Sequence, residues 1–224
     1  MTVRPIKKRR NIIDNIEWFF KNPRIVPQKD GLHSQLYLLR RDIDTCFGTD
    51  PNTGFLFDPI DKITHKEINC KAIWPGAMCI LAGVDLLSKF LYGSDKSSGK
   101  SKDSVKWRFE NYIIKYFGID QYKAHILFQL RNSLLHSFGL YSEEIIKGKL
   151  VTYNFLLDRS RTCFIKHLKN DYYQIDVQIL REKFNLSIEK YERDIKNNLS
   201  KDFYMLIHNF NIMYPKHAKP MLCN

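Results

Sequence analysis

Asp120–Gly139 reads DQYKAHILFQLRNSLLHSFG, and the spacing of its apolar residues sets the fold class. Asp120 supplies an N-cap carboxylate and Gly139 stops the run. At about 100° per residue, Leu127, Leu130, Leu134 and Phe138 fall in a narrow arc, which makes the stretch a helix with one core-facing stripe. Measured from Leu127, Arg131 lies at about 40°, Leu135 at about 80°, Phe128 at about 100°, Asn132 at about 140° and His136 at about 180°. A second face of Phe128 and Leu135 with Asn132, flanked by an Arg and a His, suits a partner surface better than solvent.

Upstream, Val105–Phe117 carries the stripe Trp107, Tyr112 or Ile113, and Tyr116, ending at Gly118. Trp74–Tyr92 has two apolar stripes: Ala77, Ile80, Val84, Leu87 and Leu91, then Cys79, Gly83, Leu86 and Phe90. A helix apolar on two sides belongs at the centre of the core. Its Pro75, Asp85 and Lys89 would be costly in lipid, so it is expected to be a buried helix and not a membrane span. GSDKSSGKSK (residues 93–102) has no hydrophobic residue and reads as a mobile connection. Two further helices open the chain, over 11–21 and about 32–47, before a loop over 48–70 whose Phe55, Leu56 and Phe57 are expected to tuck against the body.

Downstream, Leu150–Leu157 alternates, and Cys163–Leu168 and Tyr172–Ile175 are suited to pair with it as a small hairpin or meander. Val177, Leu180, Phe184, Ile188, Tyr191 and Ile195 then repeat at helical spacing, with a shorter helix around 203–210. The expected fold class is therefore mainly α, in one domain over 1–224. It comprises N-terminal helices and a long loop (1–70), core helices (71–140), a β-hairpin (148–176) and C-terminal helices (177–213).

The formal net charge is +12, with five of the positive charges in the first ten residues. Such a balance favours nucleic acid, an anionic membrane surface or an acidic protein. The basic start lacks an apolar segment after it and does not read as a secretory signal. Five cysteines (Cys46, Cys70, Cys79, Cys163 and Cys223) are scattered and odd in number, which fits a reducing cytoplasm and argues against a zinc site or a disulfide framework. A Gly-rich phosphate loop, a G-x-S-x-G elbow and H-E-x-x-H are all lacking. His125, His65, His167, His208 and His217 have no metal-spaced partners and are expected as surface or capping residues.

Arg131–His136 reads R-N-S-L-L-H and resembles the R-x4–6-H signature of the HEPN superfamily, with Asn132 as the polar residue after the Arg. The resemblance covers roughly residues 74–140 and takes in the preceding helix AGVDLLSKFLYG. It implies an up-and-down helical bundle, a metal-independent endoribonuclease activity and an active site shared across a two-fold dimer, here through the face of Phe128 and Leu135. Asp85 matches the polar or acidic side chain that the family often brings from a preceding helix, although an Asp85–Lys89 pair at i, i+4 explains it equally well. Where some members carry the Tyr of an R-x4-H-x-Y pattern, this chain has Phe138; Tyr141 is the nearest substitute.

The chemistry fits the residue types. His136 is the side chain suited to move a proton at the ribose 2′-OH or the 5′-oxygen near neutral pH. Arg131 supplies a permanent positive charge with forked donors where a phosphorane gathers negative charge. Asn132 would hold the imidazole or the phosphate. Arg131, His136 and Asn132 are thus the catalytic candidates, with Asp85 and Tyr141 as substrate-binding candidates and no metal or other cofactor implied. RNA is the expected substrate. Two other readings stand beside this one: a non-catalytic HEPN-like module that binds RNA, nucleotides or a protein, and a toxin-like or defence subunit held by an antitoxin or other regulator.

Overall fold

The computed structural model describes residues 15–23, 32–57, 63, 71–93, 105–197, 208–213 and 221–222. Through these the chain runs α1 (residues 15–20), β1 (Leu32–His33), α2 (Gln35–Cys46), α3 (Ile73–Tyr92), α4 (Val105–Phe117) and α5 (Gln121–Ser137). It continues as β2 (Tyr141–Ile146), β3 (Lys149–Asp158), β4 (Ile165–His167), β5 (Tyr172–Asp176), α6 (Val177–Asn197), α7 (residues 208–213) and β6 (Met221–Leu222). The basic start of the chain, most of the 58–70 loop and the Ser/Gly/Lys connection lie outside the described residues.

The doubly apolar pattern of α3 has its expected consequence. Ala77, Ile80, Val84, Leu87 and Leu91 are all buried, as are Gly83 and Phe90 of the second stripe, and the helix packs against α2, α4, α5 and α6. By length and composition α3 could cross a membrane, but half of its most apolar window is buried inside the fold. The α6 stripe of Val177, Leu180, Phe184, Ile188, Tyr191 and Ile195 is wholly buried too. Gly83 is what lets these two helices meet: a Cβ there would run into the Phe184 ring and come 2.8 Å from Leu39 Cδ2. Gly83→Ala should destabilise by about 1–2 kcal/mol, because overpacking outweighs the gain in helix propensity. The expected result is a melting temperature several degrees below wild type; an unchanged or higher one would show that Phe184 and Leu39 yield without cost.

The sheet overturns the expected fold class. Four strands pair in the order β2-β3-β5-β4, with β2–β3 and β4–β5 antiparallel and β3–β5 parallel, from Asn154↔Tyr172 to Asp158↔Asp176. The mixed sheet, packed on α5 and α6, makes this an α/β fold, not a mainly helical up-and-down bundle with a hairpin inserted. Strands at 149–158, 165–167 and 172–176 fall where alternation placed them; what was missed is β2 and the parallel pairing. β2 reads YSEEII, with Glu143–Glu144 interrupting the apolar alternation. The two-residue turn Lys147–Gly148, both at positive φ (51° and 78°), is the hairpin signal that could have revealed it.

Tyr153, Phe155, Ile165, Tyr173 and Ile175 bury the inner face of the sheet. Asp176 ends β5 and starts α6 without a loop: its Oδ1 accepts from the Gln178 and Ile179 amides, both at 2.9 Å. Between α2 and α6, Arg181 donates to Asp44 at 2.5 Å and to Thr49 at 3.2 Å, with its guanidinium over Phe47. A short pairing of β1 with β6 joins distant parts of the chain. Phe55, Leu56 and Phe57, expected against the body, are instead exposed at or just after a turn organised by the Asp50 carboxylate.

Asp120 caps α5 as its sequence position suggests, accepting from the Lys123 amide at 2.8 Å. That hydrogen bond holds its carboxyl below the usual carboxylate range. A depressed folded value means stability that is present above the unfolded value and is lost as pH falls through the folded one. Asn caps without a charge, so Asp120→Asn should melt below wild type at neutral pH and converge with it below about pH 4. Parallel curves of melting temperature against pH would refute the assignment.

Candidate functional site

Asp85 on α3 and Arg131 on α5 meet where the two helices pack. Arg131 Nε and Nη2 both donate to Asp85 Oδ2, at 2.8 and 2.5 Å. The side chains are 14% and 15% exposed, too buried for solvent screening to remove their attraction. Arg131 Nη1 turns the other way, donating to Asn132 Oδ1 at 3.1 Å and lying 2.6 Å from His136 Nε2. Four sequence candidates, Asp85, Arg131, Asn132 and His136, therefore form one connected group. Arg131 and His136 are some 140° apart on the helix, and it is the length and fork of the arginine that bring them together.

The contact fixes the protonation pattern of the imidazole. Arginine only donates, so His136 Nε2 accepts and the neutral ring carries its proton on Nδ1. The site thus presents an unprotonated Nε2 beside a guanidinium whose other edge is neutralised by Asp85. His136 is exposed in the last turn of α5. The helix stops there because Phe138 adopts a left-handed conformation (φ 51°) and the Gly139 amide closes back on the Ser133 carbonyl.

The remaining candidates fare differently. Tyr141 opens β2 half-exposed, its hydroxyl donating to Glu143 Oε2 at 2.9 Å, and that bond raises its pKa. It does not join the Arg131 group. Phe128, expected on an open second face with Leu135, is 8% exposed and packs edge-on against Phe109. The correction has a simple cause: α4 and α5 close on that side of the helix, which an angular plot of α5 alone cannot show. Leu135 remains partly exposed, and Phe138, assigned to the core stripe, is 71% exposed beyond the helix end.

His125 is the residue the sequence reading undervalued. It is neither a surface nor a capping residue: its side chain is 17% exposed, with Nδ1 2.9 Å from Glu110 Oε1 and Nε2 3.0 Å from Glu144 Oε2 and 3.1 Å from the Tyr153 hydroxyl. Gln129, one turn on, donates to Glu144 and accepts from Ser142 at 2.7 Å. Lys106 closes the network on Glu144 at 2.7 Å. Burial first, and the Glu144 charge second, push the Tyr153 hydroxyl to a raised pKa. His125 and Gln129 at i, i+4 were visible in the sequence, but their partners come from α4, β2 and β3. Among the described residues no group of three or more His, Cys, Asp or Glu side chains is placed to hold a metal ion.

The chain matches no protein-family model, no curated protein and no solved structure.

Proposed function

We propose that this chain is a metal-independent endoribonuclease of HEPN type, acting in the cytoplasm, with Arg131 and His136 as its catalytic pair. The observation that carries the reading is the 2.6 Å approach of Arg131 Nη1 to an accepting His136 Nε2, with Asp85 holding the opposite edge of the guanidinium. A phosphate oxygen entering between them takes the Nη1 donor and frees Nε2 to face the neighbouring ribose. His136 Nε2 then removes the 2′-OH proton, O2′ attacks phosphorus, and Arg131 neutralises the phosphorane. The bond to the 5′-oxygen breaks, and that oxygen takes its proton from the imidazolium. The products are a 2′,3′-cyclic phosphate and a 5′-hydroxyl end, and His136 is again neutral. Asn132, sharing Nη1, keeps the arginine aimed along this line.

A two-fold dimer through Leu135 and the exposed Phe138 ring beside His136 would remove apolar surface from water and enclose the site. The strongly basic chain supports an RNA substrate, since each phosphate contact releases counterions. Incubating labelled RNA with wild type and His136→Ala in EDTA, and identifying the new ends, tests the proposal. Salt-sensitive binding without cleavage by either protein would make the chain an RNA-binding module instead.

A further inference from the structure

His125, Gln129, Asn132 and His136 follow one another at i, i+4, i+7 and i+11 on α5, within about 60° of arc and over about 16 Å of helix. The stripe begins in the His125 network and ends in the Arg131–His136 group. β2 runs antiparallel to α5 over its middle, bringing Ser142 to Gln129 and Glu144 to His125. As the end strand of its sheet, β2 leaves its other edge without a strand partner among the described residues.

At the His125 end lies a shallow, open cleft of about 690 Å³. Its floor is chemically saturated, because His125 bridges Glu110 and Glu144, Lys106 pairs with Glu144, and Glu110 Oε2 accepts from Gln121 at 2.8 Å. What an incoming molecule meets is the rim. Tyr122 offers a half-exposed ring, Ile145 and Ile146 expose apolar surface, Gln121 retains its amide oxygen as an acceptor, and Lys147 brings an exposed ammonium group. A flat ring to stack on, apolar cover and an exposed ammonium group at the rim suit a planar heteroaromatic carrying a phosphate.

We propose that this cleft is a nucleotide subsite, its base stacked on Tyr122 against Ile145 and its phosphate held by Lys147. The occupant is a nucleotide of the RNA strand whose scissile phosphate lies at Arg131 and His136, with the intervening strand following the free edge of β2. The inference rests on the ribonuclease reading. A free nucleotide has the same recognisable chemistry, and the test separates the two sources.

The test uses full-length protein carrying His136→Ala, so that cleavage does not interfere, with Tyr122→Ala or Lys147→Asn added. Asn tolerates the left-handed backbone at 147, and Tyr122 is exposed enough for truncation to spare the fold. Binding of a labelled oligoribonucleotide, a dinucleotide, and adenosine and uridine 5′-monophosphates is followed by anisotropy and calorimetry. Each added substitution is expected to weaken the oligonucleotide by about tenfold, to leave the dinucleotide unchanged, and for Lys147→Asn to reduce the salt dependence. Unchanged oligonucleotide affinity in both variants overturns the subsite. Monophosphates that bind in a Tyr122-dependent way as tightly as the oligonucleotide overturn the strand assignment and make the cleft a free-nucleotide site. If wild type cleaves no RNA but the binding losses appear, the subsite stands and the nuclease reading falls; cleavage of long RNA that is unchanged by Tyr122→Ala and by Lys147→Asn in chains that keep His136 gives the reverse.

Discussion

Replacing His136 with alanine is expected to lower RNA cleavage in EDTA by at least about 100-fold, the usual contribution of a positioned general acid or base. The loss should fall on kcat rather than on binding, because the imidazole moves a proton and carries no fixed charge for the phosphate. Stability should hardly change: His136 is exposed, and its partner Arg131 keeps both donors to Asp85 when the ring is gone. Cyclic phosphate at the new 3′ ends of the wild-type products, with none from the variant, would tie the chemistry to this side chain. Equal cleavage by the two proteins would remove His136 from the reaction and trace the activity elsewhere.

Asp85→Ala is expected to act on both activity and stability. The carboxylate accepts two donors from Arg131 in a site where each side chain keeps only about 15% of its surface exposed. Removing it leaves a mostly buried guanidinium without its counter-charge. Breaking a fully buried pair in this way costs on the order of 3–5 kcal/mol; with the residual exposure the expected loss here is about 2 kcal/mol. Freed from its anchor, Arg131 no longer presents Nη1 at a fixed angle, and cleavage should fall by about 100-fold as orientation is lost. The pairing with Arg131→Ala is informative. If Asp85 acts through Arg131, the double variant should cleave no worse than Arg131→Ala alone. Full additivity would mean that Asp85 contributes to the reaction independently of the arginine.

Much of this was legible from spacing. A run such as Val177, Leu180, Phe184, Ile188, Tyr191 and Ile195 can bury its residues together only as a helix, and α6 does so. The two stripes of α3 demanded a central position for the same reason. Asp85, Arg131, Asn132 and His136 were singled out because R-N-S-L-L-H and the helix before it resemble the HEPN signature, and their residue types, a permanent cation, a proton carrier, an amide and a carboxylate, fit the chemistry that the resemblance implies. Where partners are remote, the sequence was silent or misleading. Phe128 looked like surface because α4, which covers it, lies on the far side of a turn. His125 looked idle because Glu110, Glu144 and Tyr153 stand 15 to 28 residues away in sequence. β2 was lost because a strand of six residues with two glutamates has little periodicity to read.

The sequence by itself determined that the chain buries long amphipathic helices, that it is strongly basic, and that Arg131 and His136 share one helix end. These are local properties, fixed by residue type and by a helical repeat that needs no neighbour. Only the tertiary structure decided the α/β class, since parallel pairing of β3 with β5 joins segments through a crossover that no short pattern encodes. Only the packing of α3 on α5 brought Asp85 to Arg131 and turned the guanidinium toward His136. A site is a matter of distance between side chains, and for residues 46 positions apart that distance is set by the fold.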